Sequence, residues 1–123
     1  MKRLPPFLFA AALAVVLLTG CDRLMSVEQR LDRAQSAFDA GHDSAAMADV
    51  KTVLEREPAN AAGRILLARL TLRLGDATTA RKELERAVQA GVDASTASEL
   101  DQSILLAQGR FADALAAAQK EAG

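Results

Sequence analysis

Gly41, Gly75 and Gly109 are equally spaced, and Ala46, Ala80 and Ala114 keep the same interval five positions later. A period held jointly by a turn glycine and by the small residue that follows it leaves few folds open. It points to tandem copies of one supersecondary unit, each burying a face against the next. The clearest copy runs from Leu72 to Val88: an apolar-periodic helix ends at Leu74, Gly75 and Asp76 make the turn, and a second helix carries Ala80, Leu84, Ala87 and Val88 inward. The unit is therefore an antiparallel helix hairpin, and the chain is expected to be all-α with about three hairpins stacked in line.

The rest of the chain is punctuated to match. Ser26 opens a helix, and Gln29 three positions on completes a capping box. Leu31, Ala34, Ala37 and Phe38 form its apolar stripe up to Gly41; Ala46, Val50, Val53 and Leu54 share one face of the next helix, which Pro58 ends. A second unit starts near Asn60. Ile65, Leu66, Ala68, Leu70, Leu72 and Leu74 make its first helix apolar over most of its circumference, as a helix with neighbours on two sides requires. Asp76 is expected to cap the following helix and Gly91 to stop it. In the third unit Ser95 to Gln108 repeats the first helix, with Leu100, Ile104, Leu105 and Ala107 apolar, and Phe111 to Glu121 repeats the second. The hairpins are thus expected over about 26–58, 60–91 and 95–123. No solubilising last helix follows, which suggests the opening part of a longer array.

The segment ahead of the hairpins has its own pattern. Lys2 and Arg3 precede an apolar run from Phe7 to Leu18, as in an export signal over residues 1–20. A helix of that length covers roughly 18 Å against the roughly 30 Å of a bilayer core, too short for a stable span. Leu18-Thr19-Gly20-Cys21 resembles the bacterial lipobox, which implies cleavage before Cys21 and lipid attachment to it, with 21–25 as a short tether. Cys21 is the single cysteine, so it has no disulfide partner in the chain. Asp22 directly after it resembles the signal for retention in the inner membrane. The expected location is the envelope of a Gram-negative bacterium, facing the periplasm, with the inner membrane favoured over the outer.

Chemistry has little to work with. The formal charge is -1, with no basic cluster and neither Tyr nor Trp, which leaves no electrostatic or stacking case for nucleic acid. His42 is the one histidine, so neither a histidine pair for a metal nor a base–nucleophile grouping can be built around it. Asp32, Asp39 and Asp43 lack the spacing of a calcium loop and read as a solvated face. No catalytic residue, metal or cofactor is expected.

The 34-residue step, the small mid-helix residues Ala34 and Ala68, the turn glycines, the alanines at 46, 80 and 114, and Pro58 at a repeat end resemble the tetratricopeptide repeat. The aromatic residue near the start of that pattern is missing, and Val92 stands where a closing proline would fall. The resemblance implies a right-handed solenoid whose first helices line a concave groove. Carried onto this chain, it places Gln35, Asp39, Arg69, Arg73 and Ser103 in the groove, with Leu72 and Leu106 as apolar contacts. Arg69 and Arg73, one helical turn apart, would together suit a carboxylate or an acidic polysaccharide. The Lys and Asn residues of the chaperone-type carboxylate clamp are absent at the equivalent places.

A narrower resemblance extends from the lipobox through A-x-x-A-F-D-A-G, E-P-A-N-A-A-G-R and L-G-D-A to L-L-A-Q-G-R-F. It is to the N-terminal part of the tetratricopeptide lipoprotein of the PEP-CTERM/exosortase system. It implies a membrane-anchored scaffold for envelope proteins or extended peptides, in exopolysaccharide production or protein sorting. A periplasmic accessory subunit that binds glycan through the groove is the other expectation.

Overall fold

A computed structural model describes residues 24–123, so Cys21, Asp22 and the leader lie outside the described residues. Six helices follow one another: α1 (Val27–Asp39), α2 (Asp43–Arg56), α3 (Ala61–Arg73), α4 (Ala77–Gln89), α5 (Ala94–Ala107) and α6 (Phe111–Ala122). There is no strand among the described residues, and no helix among them is long and apolar enough to cross a membrane. Each helix packs chiefly on its neighbours in sequence, and α3 also touches α1 and α5. The molecule is an all-α stack of three hairpins.

The repeat step is visible in the backbone. At the first turn Gly41 N–H donates to Phe38 C=O and His42 N–H to Ala37 C=O. Gly75 with Asp76, and Gly109 with Arg110, make the same two bonds one and two repeats later. Such paired bonds close the end of a helix when the next residue adopts the left-handed conformation. Gly75 does so at φ 86°, with nothing within 4 Å of where a Cβ would stand. The glycine is there for backbone geometry and not for space.

Entry to the helices is capped as the sequence suggests. Ser26 and Gln29 form the reciprocal box, and the Asp76 carboxylate accepts from the Thr79 N–H at 2.9 Å. The third unit starts slightly earlier than expected, because Asp93, accepting from the Thr96 N–H, caps α5 in place of Ser95. The core falls into two clusters at the hairpin junctions. Ala34, Ala46 and Val50 meet Leu66 and Leu70 at the first; Ala68, Ala80 and Leu84 meet Leu100 and Ile104 at the second. Alanines at 34, 46, 68 and 80 are fully buried, which lets the helix backbones approach closely.

Three apolar residues expected inside are outside. Leu74 lies just past the end of α3 and is exposed, and Ala107 is exposed at the end of α5. Val88 is 55% exposed, although Leu54, its counterpart in the preceding repeat, is 9%. Gly63 explains the difference at the Leu54 position. A Cβ there would stand 3.1 Å from Leu54 and 3.2 Å from Val53, a tight approach, so glycine favours the close packing of α3 over Leu54. The counterpart of Gly63 is Ala97, and it lines an open cleft together with Val88.

Each of the first two hairpins is also fastened by a buried ion pair at the same register. Arg30 on α1 donates to Asp49 on α2 at 3.0 Å, and Arg64 on α3 donates to Glu83 on α4 at 2.7 Å. Arg33 and Arg86 add a second guanidinium to Asp49 and Glu83, respectively. Serine and alanine occupy the matching positions 98 and 117 of the third hairpin. That hairpin is correspondingly lean: on α6 only Ala114 is buried.

Candidate partner-binding groove

Gln35, Arg69 and Ser103 are one position read three times, once in each repeat, on the first helix of each hairpin. Because α3 touches both α1 and α5, these positions fall on one continuous surface. Two hollows mark it. One, of about 270 Å³, is lined by Phe38, Arg69, Leu72, Arg73, Glu99 and Ser103, with Leu100 at its base. The other, of about 400 Å³, brings Gln35 and Arg69 together with Ile65, Val92 and Thr96. Arg69 is the side chain common to both. A surface that joins several shallow hollows of mixed polarity suits an extended segment better than a compact ligand.

The two arginines differ sharply in what they can offer. Arg73 donates to the Phe38 carbonyl at 2.9 Å and to the Asp43 carboxylate at 2.7 Å, and its guanidinium lies 3.5 Å from the centroid of the Phe38 ring. Its charge is met by Asp43 and its plane is fixed by the stacking. It serves as a wall of the groove and as a tie between the first two hairpins. Arg69 makes no ion pair with any described residue and is half-buried. The expected pair of free guanidinium groups is thus reduced to one, and Glu99 faces the same hollow with the opposite charge.

The remaining expected residues divide between groove and periphery. Leu72 lines the first hollow beside Phe38. Asp39 accepts a hydrogen bond from the Gln35 side chain at 2.9 Å, one turn away on α1, and lines neither hollow. Leu106 is 51% exposed near the end of α5 and also lines neither. Phe38 and Glu99 are groove residues that the sequence reading did not single out. Phe38 could have been found from the register, because it is the counterpart of Leu72. Asp43, expected on a solvated face, instead holds Arg73.

Nothing in the groove resembles a reaction centre. No group of three or more metal-binding side chains occurs among the described residues. Of the carboxylates held below their ordinary value, Asp49 and Asp76 line neither hollow and Asp93 lines the second. Asp49 is lowered chiefly by the hydrogen bond from Arg33, and Asp76 and Asp93 by the hydrogen bonds of their caps to Thr79 and Thr96. These are structural roles.

Comparison with curated proteins and with solved structures returns no match. Comparison with protein families matches the Tetratricopeptide repeat over residues 28–100, which is more than half of the chain. Repeats of this kind mediate protein–protein interactions. With three hairpins in one register, the same glycine closure at each turn and that match, the chain belongs to the tetratricopeptide-repeat family.

Proposed function

We propose that this protein is a non-catalytic scaffold, anchored in the bacterial envelope through a lipid on Cys21, that holds an extended segment of a partner protein in the groove along α1, α3 and α5. The observation that carries the reading is the alignment of Gln35, Arg69 and Ser103 on one surface, with no ion pair to Arg69 among the described residues and Phe38 and Leu72 beside it. An acidic residue on the partner would meet Arg69, and an apolar one would settle on Phe38 and Leu72. The lipobox-like Leu18–Cys21 and the brief tether to Ser26 support a site close to the bilayer, with Asp22 favouring the inner membrane. Exopolysaccharide production or the sorting of PEP-CTERM proteins is the pathway that the longer sequence resemblance supports.

Binding of an acidic glycan is the weaker reading. It rests on Arg69 and Arg73 together, and Arg73 is already neutralised by Asp43 while Glu99 and Asp93 line the two hollows with negative charge. One available guanidinium against two carboxylates repels a polyanion more than it attracts one.

The test uses photoreactive residues at Leu72 and Ser103, and at Lys51 on the outer side, in cells that carry the full chain. The expected result is a discrete crosslinked protein from the first two positions that is lost in Arg69→Glu. Equal crosslinking from Lys51, or none sensitive to Arg69, would remove the groove from the account. Deletion of the gene should lower surface polysaccharide or the surface yield of PEP-CTERM proteins; unchanged levels of both would remove the pathway.

A further inference from the structure

The charged side chains that line the two hollows of the groove are Arg69, Arg73, Glu99 and Asp93. Two of them are already committed. Arg73 is matched by Asp43, and the Asp93 carboxylate accepts from the Thr96 N–H as the cap of α5. Arg69 and Glu99 remain. They face the first hollow from the neighbouring helices α3 and α5, and neither closes an ion pair with the other or with any other described residue.

The repeat register marks Glu99 as the departure from the pattern. Its counterparts in the first two repeats are Leu31 and Ile65, both packed on the core clusters. The third repeat puts an exposed carboxylate at this place, on the wall of the hollow. A charge that replaces an aliphatic side chain and meets no opposite charge within the fold acts on whatever enters the groove, favouring one sign of charge and rejecting the other.

The geometry points to a partner segment that carries both signs of charge, an acidic residue for Arg69 and, two positions along, a basic residue for Glu99. In an extended chain such residues stand on the same side, roughly 7 Å apart, so both reach one hollow. An apolar residue two positions before the acidic one lies on Phe38 and Leu72, towards α1. A purely acidic segment sets a carboxylate against Glu99 and is rejected. The inference rests on the groove as the binding face and adds the order of its occupant from α1 to α5: apolar, acidic, basic.

The full chain carrying Cys21→Ser would be titrated with three blocked hexapeptides and followed by backbone amide shifts in NMR. They are Leu-Ser-Asp-Ser-Lys-Ser, the same peptide with Gln for Lys, and Leu-Ser-Lys-Ser-Asp-Ser. The expected result is saturable movement at 69–73 and 99–103, with the first peptide bound about fivefold more tightly than either of the others. Glu99→Gln should make the first two peptides bind alike, and Arg69→Glu with Glu99→Lys should favour the third. Equal affinity for all three, or a preference that survives Glu99→Gln, would overturn the charge selection and leave the groove standing. No movement with any of them would remove both.

Discussion

Asp49 receives guanidinium groups from Arg30 and Arg33 at 3.0 and 2.6 Å, inside the first hairpin. The hydrogen bond from Arg33, against the opposing effect of burial and with help from Arg30, holds its carboxyl below the ordinary value of 3.8. A carboxylate depressed in the folded state adds stability above its unfolded pKa and loses it as pH falls through the folded one. Stability should therefore drop below about pH 4, in part through Asp49. Asp49→Asn should cost about 3 kcal/mol at neutral pH, since Arg30 and Arg33 would lose the carboxylate they share, and should flatten the acid limb. Urea melts at pH 7 and pH 3 check both; an unchanged acid limb would show that Asp49 titrates normally. The Gly75→Ala variant should lose about 1–2 kcal/mol from its left-handed backbone alone, because the site has room for the methyl group. None of the ion pairs was read from the sequence, although the register places Arg30 with Arg64 and Asp49 with Glu83. Charged residues on an amphipathic helix look solvated until the hairpin angle shows which of them turn inward.

Helix by helix, the sequence was most informative about turns and caps and least about the depth of burial. Glycine closure and Ser26 or Asp76 capping depend on a few adjacent residues, so they could be read locally. The exposure of Val88 depends on how the next hairpin packs beside it and could not. The contrast between the two junctions is measurable. Leu54→Ala should cost about 2–5 kcal/mol, as a large residue removed from a closed contact does. Val88→Ala at the matching position should stay within about 0.5 kcal/mol. Equal losses in the two variants would mean that the second junction closes in solution as tightly as the first. The groove was legible to the extent that it repeats: Gln35, Arg69 and Ser103 follow from the period. Asp43 meeting Arg73 does not, because it joins one hairpin's turn to the next hairpin's helix.

Across the whole molecule, stability should follow the uneven distribution of fastenings. The first two hairpins each have a buried ion pair, whereas the third has none among the described residues and little of α6 is buried. In a stack held by nearest-neighbour contacts, hydrogen exchange should be slowest in α3 and α4, flanked on both sides, and fastest in α6. Uniform protection would indicate a single cooperative core instead. The proposed lipid attachment belongs to this scale too: labelled palmitate should enter the protein and vanish in Cys21→Ser, and label that persists would place the modification elsewhere. Everything proposed for the groove rests on one hairpin copied in register, so that the inner helices bring equivalent residues of successive repeats side by side. In the Cys21→Ser background, cysteine pairs at 35 with 69 and at 69 with 103 should join through a short bismaleimide at similar rates, and 35 with 103 much more slowly. Failure of either adjacent pair, or equal joining of all three, would contradict the tandem arrangement.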